Sequence, residues 1–442
     1  MTEKKNILKA GAAAIDITPK DSQFLFGYPH VERYSTGVHD QLFSSALFLS
    51  DGKTDLMIIA NDIIFVSKGS VACIRRRIWE KTGVPAKNIM ISATHTHSGP
   101  VTVDYLSSAN DPVVPKADRQ YIRVMEDGIV KAAVEAFRKA APAELGLALT
   151  DSSGVGTNRQ DPAGPSDMQM PTLIVRSLQS NKYIACVLVC SMHPTVLHED
   201  STLISGDFPG MARQILQSEF LGKECPVIYF TGPCGNQSPR YVTKENTFKE
   251  AKRLGNILAQ AVGKILHKIS FTSDNPLVCI QRFVDLPGRS FPGIREAQQQ
   301  LEQAAKKLDK LRKSGASSQE VRTAEVDWFG AEETLSLARK AKEGSLDAVY
   351  KTCLPAEIQV IGIGRWTFVG WQGEIFVEYS LKVKEKCEHV YIVSLANGEL
   401  QGYIVTPEAV AKGGYEASNS IFDHESGAIL VAETLHLLNN CE

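Results

Sequence analysis

The feature that most limits the folds open to this chain is a regular succession of strand-length apolar runs and amphipathic helical segments. "ALFLSDG" (46–52) followed by "TDLMIIANDIIFV" (54–66) predicts a hairpin turning at Asp51-Gly52. "SVACIRRRIWEKTG" (70–83) has helical spacing and ends on Gly83, which suits a C-cap. "PAKNIMISATHTH" (85–97) then predicts a strand, and 119–142 a long amphipathic helix stopped by Pro142. Further buried strands are predicted at 172–178, 183–194 and 226–235. Between them a helix opens near "GDFPGMARQILQ" with Asp207 as N-cap ahead of Pro209. Residues 245–269 form another amphipathic helix. This alternation predicts an α/β fold of layered mixed β-sheets flanked by helices. With no linker in view, the reading is one domain over 1–442.

Bulk properties remove several classes of function. The chain has 442 residues, 43% of them hydrophobic, and a formal net charge of -2. Nothing in that balance draws it to nucleic acid or anionic lipid. Its longest apolar runs are about half the ~20 residues a bilayer requires, so no transmembrane segment is expected. The amino-terminal apolar stretch is short, interrupted by Lys9, and runs into strand-like "AAIDITP", so no export signal is read. Nine cysteines lie scattered without a C-x-x-C pair, and Cys186 and Cys190 sit inside an apolar run as buried thiols. That pattern suits a reducing, cytoplasmic setting.

Residues 294–345 differ from the rest. They are charged, helix-favouring and broken at "SGASS", which predicts a helical hairpin on the surface. It reads either as a solvated helix pair or as a lid or homo-oligomer contact.

Chemistry concentrates where apolar runs end. His95 and His97 close "NIMISATHTH", and alternation along a strand would set both imidazoles on one face. An isolated H-x-H is also compatible with two polar residues satisfied at a strand end, so a metal site needs further ligands. His193 ends "VLVCSMHP", and Glu374 follows Gly373 where the helix "EIFVEYSLKVKEK" is predicted to begin. A carboxylate at a helix N-terminus is equally what dipole physics selects, and Glu378 competes for any role given to Glu374. Tyr403, after Gly402, reads as packing on its own. Together, two strand-end histidines and a carboxylate match the N and O donors that zinc accepts.

These residues carry a resemblance. "THTHSGP", "HPTVL", "SGDFPG", "GNQSPR", "QGE" and "GYIVTPEAVAKGGYE" occur in the order seen in the neutral (alkaline, non-lysosomal) ceramidases. "GAAAIDITP", "GVHDQLFSSALFL" and "GTNRQDPAGPSD" resemble the same family's early landmarks. The resemblance implies a Zn2+-dependent amidase cleaving the N-acyl bond of ceramide or another N-acyl compound, with a lipid or small-molecule substrate. It implies zinc held by His95, His193, Glu374 and Tyr403. His97 would then face the scissile carbonyl or its oxyanion, where one donor contributes on the order of 3 kcal/mol. Ser238 matches the family's catalytic serine, as a nucleophile or as a hydrogen-bond partner of water. Asn158 and Arg159 match an element that lines the substrate site, and Arg159 counts among the catalytic residues.

Departures from the family leave alternatives. The chain is expected to lack the family's C-terminal immunoglobulin-like domain, and Asn236 stands where the resemblance places an aspartate. His198 offers another ligand near His193. A zinc esterase, lactonase or cyclic-amide hydrolase acting on a small cytoplasmic substrate is the runner-up, and a non-catalytic metal-stabilised binding protein the third reading.

Overall fold

The computed structural model describes residues 7–106 and 111–439. Thirteen strands build its two main sheets. Nine form the larger one, eight of them in a continuous row: Lys9–Asp16 (β1), Phe43–Ser50 (β2), Asp55–Asn61 (β3), Ile89–Ala93 (β4), Ala141–Asp151 (β5), Gln169–Ser177 (β6), Tyr183–Cys190 (β7) and Val227–Thr231 (β8). Their order is β8-β7-β6-β5-β1-β2-β3-β4, with the short strand Phe271–Thr272 paired to β5. The two outer pairs, β3/β4 and β7/β8, are parallel. Parallel neighbours need a crossover, and the helices Lys68–Thr82 (α1) and Asp207–Ile215 (α3) lie within those two connections. The smaller sheet is Leu277–Val284 (β9), Ala356–Ile363 (β10), Trp366–Trp371 (β11) and Val390–Val393 (β12), in that order.

The apolar runs are continuous because the larger sheet is buried on both faces. From β2, Ala46 and Phe48 pack outward with α1 and Arg119–Arg138 (α2), while Leu47 and Leu49 point into an inner core. From β7, Cys186, Leu188 and Cys190 face α3 and Phe248–Ile265 (α4), while Ala185, Val187 and Val189 face the inner core. The smaller sheet closes that core with Ile361, Trp366, Phe368 and Tyr391. Burying a Leu, Ile, Val or Phe side chain in this core contributes about 1.5–3 kcal/mol. The larger sheet also curls, so that β8 touches β3 and β4 across the molecule. Thr231 Oγ1 donates to Thr94 O at 2.8 Å across this seam.

Most predicted elements form where expected. Ser50 pairs with Asp55, and the Asp51 carboxylate accepts the Lys53 and Thr54 N–H groups in the turn. Gly83 caps α1 in the left-handed conformation. Cys186 and Cys190 are buried free thiols. Among the described residues no helix is long and apolar enough to cross a membrane.

Two capping expectations fail. Helix α2 ends at Arg138, before Pro142, because Ala141 and Pro142 already pair with Ala10 and Lys9 as the start of β5. Asp207 is the first residue of α3 and not its cap. Its backbone is left-handed (φ 54°), and its carboxylate turns back to accept N–H groups from Val196 at 3.0 Å and Leu197 at 2.9 Å. It thereby ties down the loop after His193.

The predicted helical hairpin is present as Ile294–Ser314 (α5) and Ser318–Lys342 (α6), broken at Gly315. Ion pairs between Lys307 and Asp327 and between Arg312 and Glu325 lace its exposed side. Its second helix packs on the short helix Tyr415–Ser418, so it is more than a solvated pair.

Candidate metal centre and its cleft

His95 and His193 leave the sheet at the ends of β4 and β7, strands that stand far apart in the sheet order. Curling of the sheet brings the two rings to a centroid separation of 4.8 Å. The strand-alternation account of His95 and His97 is not what the chain does. Strand β4 stops at Ala93, and His95 takes a left-handed conformation (φ 68°), with its N–H donating to Ile63 O at 2.9 Å. The two imidazoles meet all the same, with Nε2 atoms 3.4 Å apart. One left-handed residue, rather than a pleat, turns both rings inward.

Glu374 does not begin a helix either. It lies in a two-residue strand, Glu374–Ile375, paired in parallel register with Tyr403–Ile404, and the helix Val377–Lys384 starts later. Glu374 and Tyr403 are therefore direct cross-strand partners. Gly402 makes this approach possible: its φ is 82°, and a Cβ there would collide with the Asn419 carbonyl. Glu378 accepts from Asn236 Nδ2 at 2.8 Å, which removes it as a competitor for the centre.

The donor set has a definite polarity. His95 Nδ1 lies 2.9 Å from Ile64 O, and His193 Nδ1 lies 2.6 Å from Cys234 O. A carbonyl only accepts, so each Nδ1 carries a proton and each Nε2 is the nitrogen turned towards the centre. Both Nε2 atoms face the same oxygen of Glu374, at 3.4 Å and 2.9 Å. Burial, with Arg159 acting in the same sense, lowers the His193 pKa to about 4, although its bond to Glu374 pulls the other way. Burial would raise the Glu374 pKa, yet the two imidazoles hold it well below the usual carboxylate range. A proton on Nε2, or a cation in its place, must lie between each imidazole and the carboxylate, and one divalent cation would serve all three groups at once. Nδ1 bonded to carbonyl with Nε2 inward is also how metal-bound histidines are oriented. The residues fit a divalent metal.

The single ligand atoms of His95, His97 and His193 all lie within 4.8 Å of one another, so His97 belongs geometrically to the same cluster. It differs in one respect: its buried Nδ1 has no hydrogen-bond partner.

The other sequence-derived residues divide. Arg159 lies behind Tyr403, its guanidinium carbon 5.4 Å from the ring centroid, and is held by Glu416 Oε1 at 2.6 Å and Gly235 O at 2.7 Å. Burial alone would lower its pKa, but Glu416 and Tyr403 raise it. Asn158 is spent on the local turn, donating to Pro165 O and accepting from Gln160 N. The Ser238 hydroxyl accepts from Arg240 N and caps the turn Pro239–Tyr241, and it is not on the cleft wall. Asn236 Oδ1 accepts from Val377 N. His198 is half-buried beside Tyr28 and Glu199, outside the imidazole cluster, and drops out as a ligand.

A cleft of about 810 Å3, counted to its open mouth, ends on His95, His97, Glu374 and Tyr403. Its walls are Phe26, Phe65, Ile64 and Val114, with Phe329 and Glu333 reaching in from α6. Sequence reading missed Tyr105, Tyr415 and Glu416. Tyr105 stacks on Phe65 with centroids 5.2 Å apart and accepts from Gly402 N. Each comes from a loop or short helix with no periodic signal, although Glu416 lay inside the quoted "GGYE".

A curled α/β sheet presenting three imidazoles and a carboxylate at the foot of a cleft defines a candidate metallohydrolase centre. The chain belongs to the family of neutral/alkaline non-lysosomal ceramidases, whose N-terminal family model matches residues 8–228, half of the sequence. It is 25% identical over 230 residues to the neutral ceramidase of Mycobacterium tuberculosis, covering 47% of this chain and 35% of that protein. It is 24% identical over 267 residues to the neutral ceramidase of Pseudomonas aeruginosa, covering 55% of this chain and 40% of that protein. The matched stretches thus span little more than a third of these relatives. The fold matches the crystal structure of the Pseudomonas aeruginosa neutral ceramidase with a TM-score of 0.74 at 19% identity, over 97% of this chain and 73% of that one. Glu374 and Tyr403 lie beyond the residues the family model matches, so their assignment rests on the geometry above.

Proposed function

We propose that this chain is a zinc-dependent amidohydrolase that cleaves a linear N-acyl bond, with an N-acyl lipid of the ceramide type as its reference substrate. The observation that carries this reading is the convergence of His95 Nε2 and His193 Nε2 on one oxygen of Glu374 at the foot of the cleft. Membership of the ceramidase family supports the amide bond over an ester or lactone. His95, His193, Glu374 and Tyr403 would hold the metal. When bound, zinc supplies a Lewis acid and lowers the pKa of water from 15.7 to about 7.

The protein's own groups account for the remainder. Glu374 offsets part of the metal's charge. Arg159, fixed by Glu416, keeps the Tyr403 ring in place. His97 has neither ring nitrogen anchored on a carbonyl, so it is free to exchange tautomers. That suits a group that donates to the carbonyl oxygen and passes a proton to the departing nitrogen. Burial, with the neighbouring imidazoles, holds its pKa well below the ordinary value, so the ring is neutral at physiological pH. Phe65 and Ile64 exclude water from the foot of the cleft. Ser238, occupied in its turn, supports that loop, and the attacking group is water.

Elemental analysis of the chelator-washed and zinc-reloaded protein tests this, beside His95→Ala/His193→Ala and His97→Ala. We expect near-stoichiometric zinc in the wild type and none in the double variant. His97→Ala should keep the metal while hydrolysis of a short-chain fluorogenic N-acyl amide falls about 100- to 1,000-fold. Zinc lost from His97→Ala would make His97 a ligand. No zinc in the wild type would overturn the proposal.

A further inference from the structure

The cleft is acidic on the side formed by α6. Among its lining residues are the carboxyl groups of Asp111, Glu332 and Glu333, and no lysine or arginine lines it among the described residues. Two of these carboxyls have partners: Asp111 accepts from His30 N at 2.6 Å, and Glu332 Oε2 lies 2.5 Å from His30 Nε2. Glu333 has none. It is 8% exposed and lines the cleft, but no hydrogen-bonding group of the described residues reaches it. Burial pushes its carboxyl up to about 8, against which Lys340 pulls only in part. A buried carboxyl with no partner is costly and calls for an explanation. The hairpin that carries it is also outside the residues the family model matches.

We infer that Glu333 is a subsite for a protonated amine, so that the cleft takes amides whose non-reacting part carries an ammonium group. An ammonium offers three N–H donors and a positive charge, which would favour the carboxylate form of Glu333 and pair with it as it forms. Apolar surface from Phe26, Phe65 and Phe329 accommodates a hydrocarbon spacer between that ammonium and the bond to be cleaved. A neutral hydroxyl brings no charge of its own and so cannot draw the buried carboxyl back to its carboxylate form. The hydrolytic half of this inference rests on the amidase reading above, and the binding half does not.

Calorimetry with n-hexylammonium and with n-hexanol tests the binding half on zinc-free wild type, Glu333→Gln, Glu333→Asp and Glu332→Gln. We expect hexylammonium to bind the wild type at least about tenfold more tightly than hexanol, Glu333→Gln to lose that advantage, and Glu333→Asp to restore part of it. Glu332→Gln should keep most of it. Equal affinity for the two probes in the wild type overturns the inference, even if Glu333→Gln fails to fold. So does an ammonium preference that survives in a folded Glu333→Gln. The hydrolytic half is read on zinc-loaded protein with two N-acetyl amides of equal length, one ending in ammonium and one in methyl. A lower KM for the ammonium amide, abolished by Glu333→Gln, supports the subsite. If neither amide is hydrolysed while hexylammonium still binds at Glu333, the amidase reading fails and the subsite stands.

Discussion

A guanidinium buried behind Tyr403 stays charged because Glu416 lies 2.6 Å from it and Gly235 O 2.7 Å. The same pairing shapes Glu416. Burial would raise its pKa, but Arg159 holds it below the normal carboxylate value. A carboxyl whose folded pKa is depressed adds stability that is complete above its unfolded pKa of about 4.3 and is lost as pH falls through the folded value. The wild type should therefore lose stability in the acid range below about pH 4.3, and Glu416→Gln should lack that component. At neutral pH the variant strands the Arg159 charge, at a cost of about 3–5 kcal/mol. Urea titrations at several pH values check both, and parallel pH curves for the two proteins would remove Arg159–Glu416 as the pair responsible. At this scale the sequence reveals residues that interrupt a regular pattern. His95, His193 and Glu374 each end an apolar run, which is why they could be singled out. Glu416 and Glu333 do not, because their meaning comes from partners, or missing partners, supplied by distant segments. His95 was found for the wrong reason, since alternation cannot foresee a left-handed residue.

Among the elements, α6 links stability to access. Its charged composition and break at Gly315 made the helix pair legible, while nothing in it shows which face meets the body of the protein. Gly330 marks that face. A Cβ at Gly330 would stand 2.9 Å from Ser418 Cβ and 3.3 Å from Tyr415 Cα, closer than packed atoms tolerate. Tyr415 and Asn419 line the cleft opposite the helix's Phe329. Gly330→Val should therefore lever α6 away from Tyr415–Ser418. Overpacking of this kind costs about 1–3 kcal/mol. We expect KM for a short N-acyl amide to rise several-fold with zinc content unchanged. Kinetics with elemental analysis on the same preparation checks this, and an unaltered KM would mean that α6 does not border the substrate. The strand β5 and most of the smaller sheet escaped sequence reading because their runs are interrupted by proline, glycine or charge. They are held by pairing partners that lie far off in the chain.

The candidate metal centre depends on closure of the whole larger sheet. His95 belongs to one end of it and His193 to a strand near the other, and neither end carries a complete ligand set. The seam between them is small and polar: Thr231 Oγ1 donates to Thr94 O at 2.8 Å, and Ser394 N donates to Thr231 O at 2.9 Å. Thr94 is the residue before His95, so the seam fixes the backbone that carries one proposed ligand against the strand beside the other. Thr231→Val keeps the shape and removes the side-chain donor, leaving a buried carbonyl unpaired at a cost of about 1–3 kcal/mol. It touches no ligand. Outer contacts that orient ligands are typically worth about 10- to 100-fold in metal affinity. A tenfold weaker site forfeits about 1.4 kcal/mol of metal-linked stability, because a ligand bound only to the folded state stabilises it by RT ln(1 + [L]/Kd). Zinc should thus raise the Tm of the wild type more than that of Thr231→Val, with no rise in the His95→Ala/His193→Ala protein. If Thr231→Val lowers Tm but binds zinc as tightly as the wild type, the seam carries stability alone. The two histidines would then be positioned by their own carbonyl bonds to Ile64 and Cys234.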